Sequence, residues 1–249
     1  MATYQTVKLK KRKEVPIQAG HPWIFSHAIA QEPSAEPGAI VRVVSHEGTL
    51  LGSGMYNPHT SIRVRMLTTK EEPIGTDFFC TRFEILRARK ESYLPPDTNG
   101  YRVVHGDADG LPGLILDRYN TVYVFQIHTA GMERLRTALI AAIEAVFHPA
   151  ILVERSDVAA RRHEGLSEMP ACVHHGVYAG PVLFRESGFL FYADIYEGQK
   201  TGFYLDQRDL RRTIAAYTAG KKVLNLFGYT GAASVYAAAG GAQSVTTVD

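Results

Sequence analysis

A chain of 249 residues, 45% hydrophobic and 21% charged, has the composition of a folded protein and not of a collagen-like, coiled-coil or disordered one. Its two cysteines, Cys80 and Cys172, are too few for a disulfide framework, and neither stands in a CxxC or Cys/His cluster. The net charge of +2 conceals an asymmetry: residues 1–70 hold nine basic side chains against four acidic ones, a balance of +5, which leaves −3 for the remainder. A basic N-terminal third points to a polyanionic partner. The opening MATYQTVKLKKRK lacks the apolar core of a signal peptide, and no stretch reaches about 18 uninterrupted apolar residues, so a cytoplasmic protein is expected.

TVKLKKRK alternates apolar and basic residues, the pattern of an edge strand with lysines facing water. Gly20-His21-Pro22-Trp23 breaks it. Pro37-Gly38 precedes a β-branched strand, AIVRVVS, and His46-Glu47-Gly48 turns into TLLGSGMYN. SIRVRML follows Asn57-Pro58, and this spacing of short strands predicts a small β-barrel over residues 1–72. A second, α+β domain is expected over 73–195. It opens with a helix capped by Asp77 and ending before Pro95-Pro96. Strands follow at Tyr101 to Val104, Leu114 to Leu116 and Val122 to Ile127, with a hairpin at Tyr119-Asn120. Then come a helix from Glu133 to Phe147, a strand AILVE, and a hairpin VLFRE–Ser187-Gly188–FLFYAD. From residue 196 the pattern changes to helix, apolar strand, Gly-rich turn, Ala-rich helix and apolar strand. The helix is capped by Thr201 or Asp206 and closed by Gly220, and KVLNLF and SVTTVD read as buried parallel strands.

The sharpest chemical signal is VLNLFGYTGAAS followed by SVTTVD. Gly228 and Gly231 permit a tight turn and close approach of backbone to a ligand, and the helix start presents free amides. Asp249 follows Gly231 at about the 20-residue spacing at which a carboxylate meets ribose hydroxyls. The spacing is Gly-x-x-Gly and not GxGxxG, which argues against a nicotinamide oxidoreductase. Upstream, GQKTGFYLDQRDLRR concentrates Lys200, Tyr204, Asp206, Gln207 and Arg208. Asp107-Ala108-Asp109-Gly110 reads as a turn and not a calcium loop, because the closing glutamate is missing. His174-His175 has no companion ligand at metal spacing. Arg161-Arg162-His163 reads as a solvated loop with phosphate contact as the lesser alternative, and Trp23 as an anchor of the small barrel with base stacking as the lesser alternative.

Four runs, GHPWIFSHAI, GDADGLPGLILDRY, TGFYLDQRDLRR and KVLNLFGYTGAASVYAAAGGAQSVTTVD, occur in order along the chain. They resemble the PUA-domain class I methyltransferases that use S-adenosylmethionine (SAM) to modify large-subunit ribosomal RNA, typically to 5-methylcytosine. The resemblance implies a PUA-like RNA-binding barrel, a central α+β domain and the start of a Rossmann-like methyltransferase domain over 196–249. By position, Asn225, Phe227, Gly228, Tyr229, Thr230 and Gly231 would line the methionine side of SAM, and Asp249 would hold its ribose. Tyr204, Asp206, Gln207 and Arg208 would shape the access to cofactor and target base. RNA contacts are expected from Lys10, Lys11, Arg12, Lys13, Arg63 and Arg65. The implied partner is large-subunit ribosomal RNA, a homodimer remains open, and neither a metal nor a membrane is expected. The family's Asp-Pro-Pro motif and its attacking cysteine are absent from these 249 residues, so the reading is of a truncated member with no catalytic residue to name. The alternative is a non-catalytic RNA-binding protein or fragment.

Overall fold

The computed structural model describes residues 4–249, so Met1–Thr3, part of the expected first domain and of the leader reading, lie outside the described residues. The N-terminal module contains β1 (Gln5–Leu9), a one-turn helix α1 (Val15–Gln18), β2 (Trp23–Phe25), β3 (Ile29–Gln31), β4 (Ile40–Val44), β5 (Leu50–Tyr56) and β6 (Ile62–Thr68). They form one six-stranded sheet in the order β2-β6-β5-β4-β1-β3. The two edge strands are consecutive in sequence, joined by a 3-10 turn at Ser26–Ala28. Four residues reach about 14 Å at most, whereas the edges of a flat six-stranded sheet stand about 24 Å apart. The sheet must therefore curl. It is a half-barrel, since β2 and β3 share no ladder. The expected edge strand β1 is instead interior, parallel to β4 and antiparallel to β3. Its alternation has another cause: Val7 and Leu9 enter the module's core beside Val41, Val43 and Val64, while Lys8 between them points away.

The middle of the chain begins with α2 (Thr76–Glu91). Gly75 is its N-cap and Asp77 lies in its first turn, so the expected Asp77 cap is displaced by two residues. A five-stranded sheet follows: β7 (Gly100–His105), β8 (Leu114–Tyr119), β9 (Val122–Ile127), β10 (Ile151–Glu154) and β11 (Cys172–His175), in the order β11-β10-β9-β8-β7. The crossover from β9 to parallel β10 carries the expected helix, broken at Leu135 into α3 (Ala130–Arg134) and α4 (Arg136–Phe147). Every residue of β9 is buried, because both faces of the sheet are covered. Tyr123, Phe125 and Ile127 pack into the cluster under α2 and α4. Val122 and Val124 face a second cluster containing Phe184, Phe191, Phe203 and Tyr236.

That second cluster joins the last part of the chain to the middle. The hairpin β12 (Val182–Glu186) and β13 (Phe189–Ala193) turns through Ser187 and Gly188, both at positive φ (51° and 83°), as a two-residue hairpin requires. Beyond it come α5 (Arg208–Tyr217), β14 (Lys222–Leu226), α6 (Ala232–Ala239) and β15 (Ser244–Val248). Neither Thr201 nor Asp206 caps α5. Leu205–Gln207 is a 3-10 turn and Gln207 is the N-cap. β14 and β15 pair in parallel as expected but are not buried; Leu224 and Leu226 are more than half exposed, and α6 is the helix chiefly packed on the two strands. The segment is held through its helices. Arg211 of α5 and Glu186 of β12 form a bidentate ion pair (2.8 and 2.7 Å) that is 2% and 0% exposed, and the Tyr236 hydroxyl of α6 donates to the same carboxylate at 3.1 Å.

Candidate functional site

Between α5 and the β14–α6 turn lies a cleft of about 350 Å³, at the lower end of the range for small-molecule sites. One wall is the turn itself, with Asn225, Phe227, Gly228, Tyr229 and Thr230; Asp249 stands at its rim. The opposite wall holds Gln199, Phe203, Tyr204, Gln207 and Arg211. Phe227 and Tyr229, at φ of 58° and 49°, are held in the left-handed region on both sides of Gly228. Such a conformation costs a non-glycine residue roughly 1–2 kcal/mol, and strain of this kind gathers where a loop is shaped for a task. Gly228 itself has no room for a side chain: a Cβ would lie 2.4 Å from Thr247 Cγ2. Asp249 accepts the Tyr229 N–H at 2.8 Å, so one carboxylate oxygen pins the turn. The Asn225 amide donates to Ser234 Oγ at 2.9 Å, tying β14 to the first turn of α6.

The aromatic walls brace each other. Tyr204 and Tyr229 meet edge to face at 5.5 Å, and the Tyr229 hydroxyl accepts the Gln199 N–H at 3.0 Å. The Tyr204 hydroxyl donates to the Gln199 side-chain oxygen. Arg211 donates to the Tyr204 carbonyl at 2.9 Å, so the buried ion pair also fixes the aromatic wall. Gln199 and Arg211 were not singled out in the sequence. Gln199 stands in the GQKTGFYLDQR run and had a signal; the burial of Arg211 had none.

The sequence-derived set divides. Tyr204, Gln207, Asn225, Phe227, Gly228, Tyr229, Thr230 and Asp249 converge on this cleft, and Gly231, at φ 76°, is the N-cap of α6 just behind it. Asp206 and Arg208 do not join them. Together with Leu205 and Asp209 they line a neighbouring cleft of about 190 Å³, against Tyr101 and Arg102. The 3-10 turn and the start of α5 place residues 204, 207 and 211 on one face and 205, 208 and 209 on another, so the segment is a wall shared by two clefts.

The basic residues divide as well. Lys10, Lys11, Arg12 and Lys13 are exposed, and Lys10 Nζ donates to the His27 carbonyl. Arg63 is bound to Glu32 at 3.0 Å and to the Thr60 carbonyl at 2.6 Å. Arg65 is bound to Glu164 at 3.0 Å and lies 5.9 Å from the Trp23 ring. Arg63 already serves the module's own structure, and Arg65 already ties the module to the middle of the chain. Arg161 corrects the solvated-loop expectation: it is 2% exposed and donates to the carbonyls of Ile127 and Ser167. Trp23 is half-buried, and its indole N–H reaches Asp107 across to the middle of the chain at 2.5 Å. Gly106–Asp109 is a 3-10 turn capped by Gly110. His174 is bound to Glu154 at 3.0 Å, and no group of three metal-binding side chains occurs among the described residues. Cys80 is half-buried with its thiol pushed up by burial, Cys172 is exposed on β11, and neither lines the cleft.

A strained Gly-x-x-Gly turn opening a helix, with a carboxylate one strand later, is the frame on which a nucleoside cofactor sits. Residues 172–249 match the S-adenosylmethionine-dependent methyltransferase family. Residues 7–69 match the PUA-like domain family. The cofactor of the first family is SAM, as its description states. Among curated proteins, the chain is similar to "Ribosomal RNA large subunit methyltransferase I" of Shewanella denitrificans, 40% identical over 247 residues, and to the protein of the same name in Alteromonas mediterranea, 43% identical over 246. Both alignments cover 98% of this chain and 62% of the relative, so the chain spans less than two thirds of their length. Among solved structures it resembles a protein assigned as a SAM-dependent methyltransferase from Streptococcus mutans, with TM-score 0.80, 24% identity, and coverage of 98% of this chain and 63% of that one. A second structure, of a protein assigned as a methyltransferase and complexed with SAH, gives TM-score 0.82 at 24% identity, covering 98% and 62%. At that identity the likeness is one of fold. No helix among the described residues is long and apolar enough to cross a membrane.

Proposed function

We propose that this chain binds SAM in the cleft between α5 and the β14–α6 turn and binds RNA, and that it serves methyl transfer to large-subunit ribosomal RNA in the cytoplasm, with carbon 5 of a cytosine as target. The observation that carries the reading is the convergence of Asn225, Gly228, Tyr229, Asp249, Tyr204 and Gln207 on one cleft from three separate segments. The division into units at 1–72, 73–195 and 196–249 is part of the same proposal.

The cleft fits the cofactor. Gly228 lets the turn pack tightly on Thr247, and the first amides of α6 would provide donors for the methionine carboxylate. Asp249 uses one oxygen on Tyr229 and has a second for a ribose hydroxyl. When bound, SAM supplies an electrophilic methyl group whose direct displacement depends mainly on positioning. Tyr204 and Tyr229 would wall the site against water, and Arg211 would hold Tyr204 in place. A cytosine carbon is a poor nucleophile until a thiolate adds to its ring. Neither Cys80 nor Cys172 stands at the cleft, so no residue of this chain is assigned that step.

Calorimetry with SAM on the 249-residue chain is expected to show weak binding that Asp249→Ala and Gly228→Ala both abolish. Labelled SAM and large-subunit ribosomal RNA are expected to give no turnover with this chain alone. Turnover by this chain that survives replacement of both cysteines would overturn the thiolate requirement, and absence of SAM binding would overturn the cofactor reading.

A further inference from the structure

The basic excess of the N-terminal third is concentrated at its start. Residues 4–31 hold five basic side chains, Lys8, Lys10, Lys11, Arg12 and Lys13, against one carboxylate, Glu14, a balance of +4 out of the +5 of residues 1–70. Lys10 to Lys13 are exposed and form a turn in which the Lys13 N–H donates to the Lys10 carbonyl at 3.0 Å. Both ends of that turn meet the β2 segment. Lys10 Nζ donates to the His27 carbonyl at 2.9 Å, and Lys13 lines a depression of about 240 Å³ together with Ile17, His21, Trp23, Phe25 and His27. Among the described residues no carboxylate lines this depression.

β2 is an edge strand paired with β6 alone. Ile24, 2% exposed, enters the module's core, so Trp23 and Phe25 on either side of it project from the opposite face. There four rings follow one another. His21 meets Trp23 at 5.8 Å and Trp23 meets Phe25 at 6.4 Å, both edge to face, and Phe25 meets His27 at 5.9 Å, nearly parallel at 16°. His21 and His27 are exposed, and Trp23 and Phe25 are half-buried. The Trp23 indole N–H donates to Asp107 and its backbone N–H to His21 Nδ1 at 3.1 Å, which commits the Asp107 carboxylate and fixes this end of the row before any ligand arrives. Packing against the middle of the chain accounts for Trp23. It does not account for Phe25 and His27, whose ring partners are Trp23 and each other. Rings open to water beside a cationic turn are the two components of a single-strand site: a platform on which any base can stack, and charges that track the backbone. The bases of a duplex are already stacked on one another, so such a row selects unpaired ones.

Granted the RNA binding proposed above, we infer that this face holds a single-stranded RNA segment, with bases stacked on the Phe25–His27 end of the row and phosphates on Lys11, Arg12 and Lys13. The test uses the 249-residue chain and a mixed-sequence RNA of about 12 nucleotides, within the span that single-strand sites cover, presented alone and annealed to its complement. The single strand is expected to bind more tightly than the duplex and to quench the emission of Trp23, the chain's single tryptophan. Phe25→Ala and His27→Ala are each expected to weaken single-strand binding about tenfold, the loss of one stacked base, with the log–log salt slope unchanged, because stacking releases no counterions. Lys11→Glu should instead lower that slope by about 0.7. Phe25→Trp should retain the affinity, and urea midpoints check that each variant is folded; His27 is exposed, so its replacement tests the row even where Phe25→Ala disturbs the module. Single-strand affinity unchanged in both alanine variants, or an equal loss on single strand and duplex, would overturn the stacking site while leaving electrostatic RNA binding intact. Failure of the unaltered chain to bind either RNA would overturn the RNA reading, and this site with it.

Discussion

Replacing Arg211 with methionine removes one side chain from three tasks at once. The Glu186 carboxylate, fully buried, loses both guanidinium donors and keeps only the Tyr236 hydroxyl at 3.1 Å. The Tyr204 carbonyl loses its donor, and Phe203 loses the guanidinium 4.9 Å from its ring. Breaking a buried pair from one side typically costs about 3–5 kcal/mol, and a domain's entire stability is only about 5–15 kcal/mol. Arg211→Met is therefore expected to lower the urea midpoint clearly and to speed amide exchange in α5, α6 and the β12–β13 hairpin ahead of the rest. SAM affinity should fall with it, since Tyr204 loses its support. Adding Glu186→Leu removes the stranded charge, and the double variant should recover most of the loss, as apolar replacements of whole buried pairs often do. A single variant within about 0.5 kcal/mol of the parent, the range of ordinary surface substitutions, would refute the assignment of the pair as the latch of this segment.

Burial alone would raise the Glu154 carboxyl, but hydrogen bonds from His174 and Ser156 and the Arg136 charge outweigh it and hold the group below its ordinary 4.5. A depressed folded-state value contributes stability above pH 4.5 that disappears as pH falls through the folded value. Urea midpoints measured from neutral pH downward should therefore drop, and Glu154→Gln should flatten that slope. Gly228→Ala is expected to leave the five-stranded sheet unchanged while displacing Thr247 and abolishing SAM binding, read by hydrogen exchange and calorimetry. Amides of β14 and β15 should exchange faster than those of β8 and β9, because their faces are exposed; strong protection from Val223 to Val248 in a monomer would contradict this. Lys10, Lys11 and Arg12 changed together to Glu should weaken RNA binding at low salt across sequences, and unchanged affinity would exclude the basic arm as a phosphate contact.

The elements legible in the sequence were those whose signal is local. Two-residue alternation marked the strands, Ser187-Gly188 announced its hairpin, and the expected Tyr119-Asn120 turn is displaced by one residue to Asn120–Thr121, because turn chemistry depends on the backbone of adjacent residues. Gly228 and Asp249 were legible for the same reason: a strand, a tight turn, a helix and a second strand fix their separation whatever surrounds them. The sequence also supplied the exposed basic run Lys10–Lys13. Tertiary structure decided what depends on partners far along the chain. β1 has the alternation of an edge strand, and only the return of β3 and β4 placed it inside the sheet. Arg63, Arg65 and Arg161 carry the same charge as Lys11, but Glu32, Glu164 and the carbonyls of Ile127 and Ser167 had committed them already. Asp206 and Gln207 are neighbours in sequence and face different clefts, because a 3-10 turn entering a helix rotates successive side chains by roughly 100–120°. Periodicity is a property of a segment, whereas the partner of a charge or an edge is a property of the whole chain's path, and that path set which of these residues stayed free to meet a ligand.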